Sequence, residues 1–135
     1  MADKEIYLAL STALEPVGIP INWPNQSDWA MPTTPWIRFN QPIIGDNQVT
    51  LGSGGYNENQ GFLQVDVFTP KLSGILTSYD IAASVKALIG SGAELTHGGQ
   101  CVRIKSAAVS LGNADDAWNH MLISVEFTSY TTRSF

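Results

Sequence analysis

Apolar residues recur at Ile6, Leu10, Ala13 and Leu14, a spacing of i, i+4, i+7 and i+8 that lays one stripe along a helix over residues 3–14. Asp3 and Glu5 stand at its start, where the helix dipole favours negative charge, and Pro16 and Gly18 stand where it must stop. The period then changes. In GFLQVDVFTP (61–70), Leu63, Val65 and Val67 alternate with Gln64 and Asp66, which predicts a strand with one buried and one wet face, ended by Pro70. Residues 74–89 return to helical spacing, with Ile75, Tyr79, Ala82 and Ile89 along one side and Gly90 and Gly92 as terminators. Two more alternating runs follow. In CVRIKSAAV, Val102 and Ile104 alternate with Arg103 and Lys105; in WNHMLISVEFTSY, Met121, Ile123, Val125 and Phe127 alternate with Leu122, Ser124, Glu126 and Thr128. The pattern predicts an α+β fold: one domain over residues 1–135, a mostly antiparallel sheet, and two helices packed on its apolar face.

Residues 16–42 break both periods. Six of the seven prolines lie there, with Trp23, Trp29 and Trp36. Prolines so frequent exclude helix and central strand, while tryptophans so frequent favour packing over disorder. Short strands near 19–23 and 36–41, joined by an ordered loop, satisfy both constraints, and Ile37 and Phe39 then oppose Trp36 and Arg38. The following segment, 43–60, is poor in apolar residues and holds Gly45, Gly52, Gly54 and Gly55, which predicts a long mobile loop. Tyr56 is its one aromatic, and so its expected anchor against a partner.

Charge narrows the function classes. Seven basic residues against twelve acidic ones give a net charge of −5, and the basic residues are scattered. Tight nucleic-acid binding, which needs clustered Lys and Arg, is disfavoured. Charged residues are 14% of the chain, so much of the surface is Ser, Thr, Asn, Gln and Gly, as on a face covered in an assembly and equally on many monomers. The single cysteine, Cys101, excludes an internal disulfide and fits synthesis in a reducing cytoplasm. MADKEIYLAL lacks the basic start and apolar run of a secretory signal, and no run of about 18 apolar residues predicts a membrane span.

Candidate chemistry is sparse. Gly52-Ser-Gly-Gly55 is followed by Tyr56 and a strand, whereas a phosphate-cradling loop needs Lys after its last glycine and then a helix. His97, His120, Cys101, Asp115 and Asp116 have no metal-ligand spacing, so no metal site is expected. His97 reads as a turn residue, His120 as lying on the wet face of its strand, and Cys101 as a small buried thiol at a strand start. No nucleophile elbow is present, so no catalytic or cofactor site is expected. Asp66 is expected exposed, or paired with Arg38, Arg103 or Lys105. The tryptophans are not at one-face spacing, and anchoring an irregular passage suits them better than a stacking platform.

Several of these stretches, taken in order, carry a resemblance. After the first helix come Asn22-Trp-Pro-Asn25 and Pro32-Thr-Thr-Pro-Trp-Ile-Arg-Phe39; then Leu51-Gly-Ser-Gly-Gly55, the strand 61–70, Leu95-Thr-His-Gly-Gly99 and Val102-Arg-Ile104. Over roughly residues 3–130 the chain resembles the tail terminator-like proteins of long-tailed bacteriophages. The resemblance implies a non-enzymatic virion protein without cofactor, synthesised in the host cytoplasm and assembled at the head-proximal end of the tail. It implies a ring, typically a hexamer, that caps the tail tube protein, ends its polymerisation and docks the head-completion or connector protein. DNA would pass through an acidic lumen unbound, and no membrane partner is implied. Contacts with the next subunit or the tube are expected at Arg38, Leu51, Tyr56, Asn57, Gln60, Gln64 and Asp66. Three alternatives stay open: another neck or head–tail joining protein, a ligand-binding module built on the Trp-rich passage, and a hydrolase with an unrecognised site. Binding to tubes or to connectors separates the first; ligand-dependent tryptophan fluorescence would reveal the second, and a convergent polar pocket the third.

Overall fold

The computed structural model describes residues 2–24, 32–48, 56–71, 74–112 and 118–132. Helix α1 (Ala2–Leu14) buries Ile6, Ala9, Leu10 and Leu14. It passes into a 3-10 turn at Glu15–Val17, which holds Pro16, and Gly18 ends it in the left-handed region at φ 86°. The strands are β1 (Ile21–Asn22), β2 (Trp36–Phe39), β3 (Ile43–Gln48), β4 (Tyr56–Pro70), β5 (Glu94–His97), β6 (Gln100–Leu111) and β7 (Trp118–Thr132), with helix α2 (Ile75–Ile89) between β4 and β5.

They form one mixed sheet in the order β1-β2-β4-β7-β6-β5, with β3 also on β4. Only β1 and β2 run parallel. Strand β4 is the spine: β7 pairs with its whole length on one side. On the other side β2 takes residues 65–68 and β3 takes 57–62. The inward positions are those set by alternation. Leu63, Val65, Val67, Met121, Ile123 and Val125 are all buried in one cluster with the inner stripes of α1 and α2. The α+β architecture with both helices on one face is thus the one the periodicity predicts.

Three local expectations need correction. Residues 43–60 are not one long loop. Residues 43–48 and 56–60 are strand, paired with each other and, for 56–60, with β7; the tip, 49–55, lies outside the described residues. Hydrophobic alternation misses these arms because, beyond Ile43, Ile44 and Tyr56, they carry only polar residues and glycine. Backbone pairing holds them, and Gly61 allows it: a Cβ there would collide with the Ile43 carbonyl and the Phe127 ring. The inner face of α2 is Ser78, Ala82, Val85 and Ile89, with Ile75 and Tyr79 exposed. Ser78 turns inward because its hydroxyl lies 2.7 Å from that of buried Thr69, so a polar pair occupies a core position. Cys101 is exposed, since Val102 and Ile104 take the inward positions of β6.

Candidate functional site

The face of the sheet away from the helices is only partly wet. Register places Trp36, Phe68 and His120 side by side on β2, β4 and β7. Their rings stack, Trp36 on Phe68 at 4.3 Å and Phe68 on His120 at 4.6 Å between centroids, and Trp118 meets Trp36 edge-on at 6.2 Å. The Arg38 guanidinium lies over this row, 5.6 Å from the Trp36 ring and 5.2 Å from Phe68, within cation–π range. Trp36 is 1% exposed although it sits outside the main core.

The next row holds Asp66 opposite Arg38. Asp66 is only 4% exposed, so its carboxylate must be satisfied from within the fold. Asn40 Nδ2 donates to Oδ2 at 3.0 Å and Gln64 Nε2 to Oδ1 at 2.8 Å. Arg38 Nη1 stands 4.0 Å from Oδ2. His120 Nε2 stands 3.2 Å from Oδ1, close enough for an ion pair when protonated but not aligned as a hydrogen bond. Of the three partners expected for Asp66, Arg38 is found. Arg103 instead pairs with Glu94 at 3.0 Å on an exposed edge, and Lys105 has its own exposed position.

Arg38 is thus the expected partner of Asp66, joined by Asn40 and Gln64, whereas His120, expected on a wet face, is stacked on Phe68 with its side chain only 20% exposed. The Asp66–His120 pair does not make an acid–base dyad for catalysis. The imidazole is held between the Phe68 ring, Asp66 and Gly112, where a Cβ would meet it. Replacing Asp66 with Ala should destabilise the domain by about 1–3 kcal/mol, because Asn40 and Gln64 then lose the buried, charged acceptor they share. Asp66→Asn should do less, since an amide oxygen still accepts. Urea denaturation reads both, and an Asp66→Ala effect within about 0.5 kcal/mol, the range of ordinary surface changes, would show the network to be inert.

Further along β4 the same face turns apolar. Ile43 and Phe62 pair across β3 and β4, 73% and 59% exposed, and border a cleft of about 330 Å³ shared with Asn40, Gln64 and Ser124. Of the sequence-expected contact residues, Arg38, Gln64 and Asp66 come together, and Gln60 lies on the same face near Phe62. Tyr56 and Asn57 are in β4 by backbone pairing with Thr132 and Thr131. Leu51 and Trp29 lie outside the described residues. Sequence reasoning missed Asn40, Ile43 and Phe62. An apolar residue at an outward position of an alternating strand, as at Phe62 and Phe68, was the available signal. His97 closes β5 and bonds Glu5 of α1 at 2.6 Å, which ties the β5–β6 turn to the helix. Among the described residues no three His, Cys, Asp or Glu side chains gather to hold a metal ion.

These features define a small, mixed-sheet protein whose helix-free face joins a buried polar cluster to exposed apolar groups, and solved structures share its fold. One, which carries no functional name, matches with a TM-score of 0.65 at 20% identity, covering 99% of this chain and 93% of its own. Another is a chain of the virion of a native gene transfer agent particle, with a TM-score of 0.63 at 14% identity and 98% coverage of each. A search of curated proteins gives no match. The family model described as phage tail terminator protein matches residues 5–127, and the chain belongs to that family. It is a structural protein of the phage tail and not an enzyme.

Proposed function

We propose that copies of this chain close into a ring, six in number, on the head-proximal end of the tail tube. The ring ends tube growth and presents the surface on which the head-completion or connector protein docks. The helix-free face carries the reading: an exposed Ile43–Phe62 pair beside a braced polar cluster of Arg38, Asn40, Gln64 and Asp66. Exposed apolar groups next to internally satisfied polar ones form a surface that loses little on being covered. Arg38, Gln60, Gln64 and Asp66, with Leu51, Tyr56 and Asn57, are the proposed contacts to the next subunit or the tube. A net charge of −5 suits a lumen through which DNA slides unbound. Assembly takes place in the host cytoplasm, where the exposed Cys101 stays reduced.

Electron microscopy of purified protein mixed with tail tubes tests this reading. Rings seated on one end of each tube are expected. Binding to capsid connectors with no affinity for tubes would instead favour a neck protein acting at another position.

A further inference from the structure

We propose that each copy joins the next through backbone pairing between the outer edge of β3 and the outer edge of β6, so that one antiparallel sheet runs continuously around the ring. The proposal rests on the ring reading and names the atoms that join.

Both edges lack a neighbour among the described residues. Strand β3 pairs only with β4. Strand β5 covers β6 only over Gln100–Arg103, and the connecting turn extends that cover to Ile104 and Lys105. Beyond them, residues 106–111 pair with β7 alone. The free groups can be assigned. Gly112 N–H donates to His120 O at 2.9 Å. Bonded and non-bonded pairs alternate in an antiparallel ladder, so Ser110 and Ala108 share the bonds to β7. The main-chain N–H and C=O groups of Ala107, Val109 and Leu111 therefore point out of the sheet.

Three observations make a second copy the occupant. First, β3, β4, β7 and β6 are four successive antiparallel strands, so the two outer ones run in opposite directions. A copy added by rotation about an axis inclined to the strands, as in closed barrels, brings its β3 antiparallel to 106–111: the incline takes up the offset between β3, level with residues 57–62 of β4, and 106–111, level with residues 62–67. Second, the edges match: β3 has six residues, and 106–111 is also six. Third, neither edge is defended. Exposed edges are normally blunted by proline or lysine, yet neither stretch has either, and Asp46 is the one charged residue in the two together. Each edge instead carries a large exposed apolar side chain, Ile43 at 73% and Leu111 at 64%.

Face matching limits the register. Ile43 points to the helix-free side with Phe62, and Ser106, Ala108 and Ser110 point there with Glu126, Ser124 and Leu122. Chains with Cys101→Ser, Ile43→Cys and either Ala108→Cys or Ser110→Cys sample two registers at exposed positions, where the fold is indifferent. Each is assembled on tail tubes, oxidised, and run on a non-reducing gel beside images of the same sample. One register should give a ladder of covalent multimers ending in a closed ring, and chains with only one introduced cysteine should give none. Rings by microscopy without a ladder in either register overturn the edge pairing and leave the ring reading standing. A ladder without rings supports edge pairing and overturns the ring. Neither ladder nor ring overturns both. Dimers from a chain with a single introduced cysteine would show like edges pairing with like, which also overturns the proposal.

Discussion

Ile123→Ala is expected to destabilise the fold by about 2–5 kcal/mol, a large share of the 5–15 kcal/mol that holds a domain of this size together. Ile123 is fully buried and lies directly across from Val65, at the centre of the pairing between the two 15-residue strands. Helix α2 packs over this region from the inner side, with Val85 and Ile89 in the same cluster. Truncation removes apolar contacts and leaves a cavity that two long paired strands cannot close by shifting, since their register is fixed over their whole length. Ser124→Ala, one residue on and exposed, should stay within about 0.5 kcal/mol. Gln64→Ala is intermediate, because Gln64 is exposed yet donates to Asp66. Chemical denaturation that ranks Ser124→Ala above Ile123→Ala would place the buried face on the wrong side of β7.

Much of the fold was legible because its core elements keep a strict period. The stripe Ile6, Leu10 and Leu14 and the alternations Leu63, Val65, Val67 and Met121, Ile123, Val125 are all buried where the spacing puts them. What escaped was held by other forces. The arms of the β3–β4 hairpin carry IIGDNQ and YNENQ, and backbone hydrogen bonds to each other and to β7 define them, with no apolar period to read. The rotation of α2 was hidden by Ser78, a polar residue made at home in the core by Thr69. The pairing of Asp66 with Arg38 was legible but its burial was not, because alternation records which side a residue is on and not what lies above it. Trp36 and Phe68, on that same side, were the residues that should have raised the question.

The proposed contact face had the same limit. Arg38, Gln64 and Asp66 entered through a resemblance, and the register of β2 on β4 shows why they belong together. Ile37 opposite Val67 on the inner side forces Arg38 opposite Asp66 on the outer. Ile43 and Phe62 needed the hairpin, which the sequence did not show.

The largest effect is expected in the virion itself. If this chain stops tube growth, nothing else limits the growing, head-proximal end of the tail when the chain is missing, and the unfinished end offers heads no docking surface. A phage whose gene for this chain is inactivated should therefore accumulate headless tails with a broad spread of abnormal lengths beside separate, tailless heads. Supplying the intact chain in trans should restore uniform tails joined to heads, whereas supplying Asp66→Ala should restore them only as far as the variant folds. Tail lengths measured by electron microscopy of such lysates decide the matter. A broad length distribution without heads is the predicted result, and tails of normal, uniform length joined to heads in the absence of the chain would contradict it.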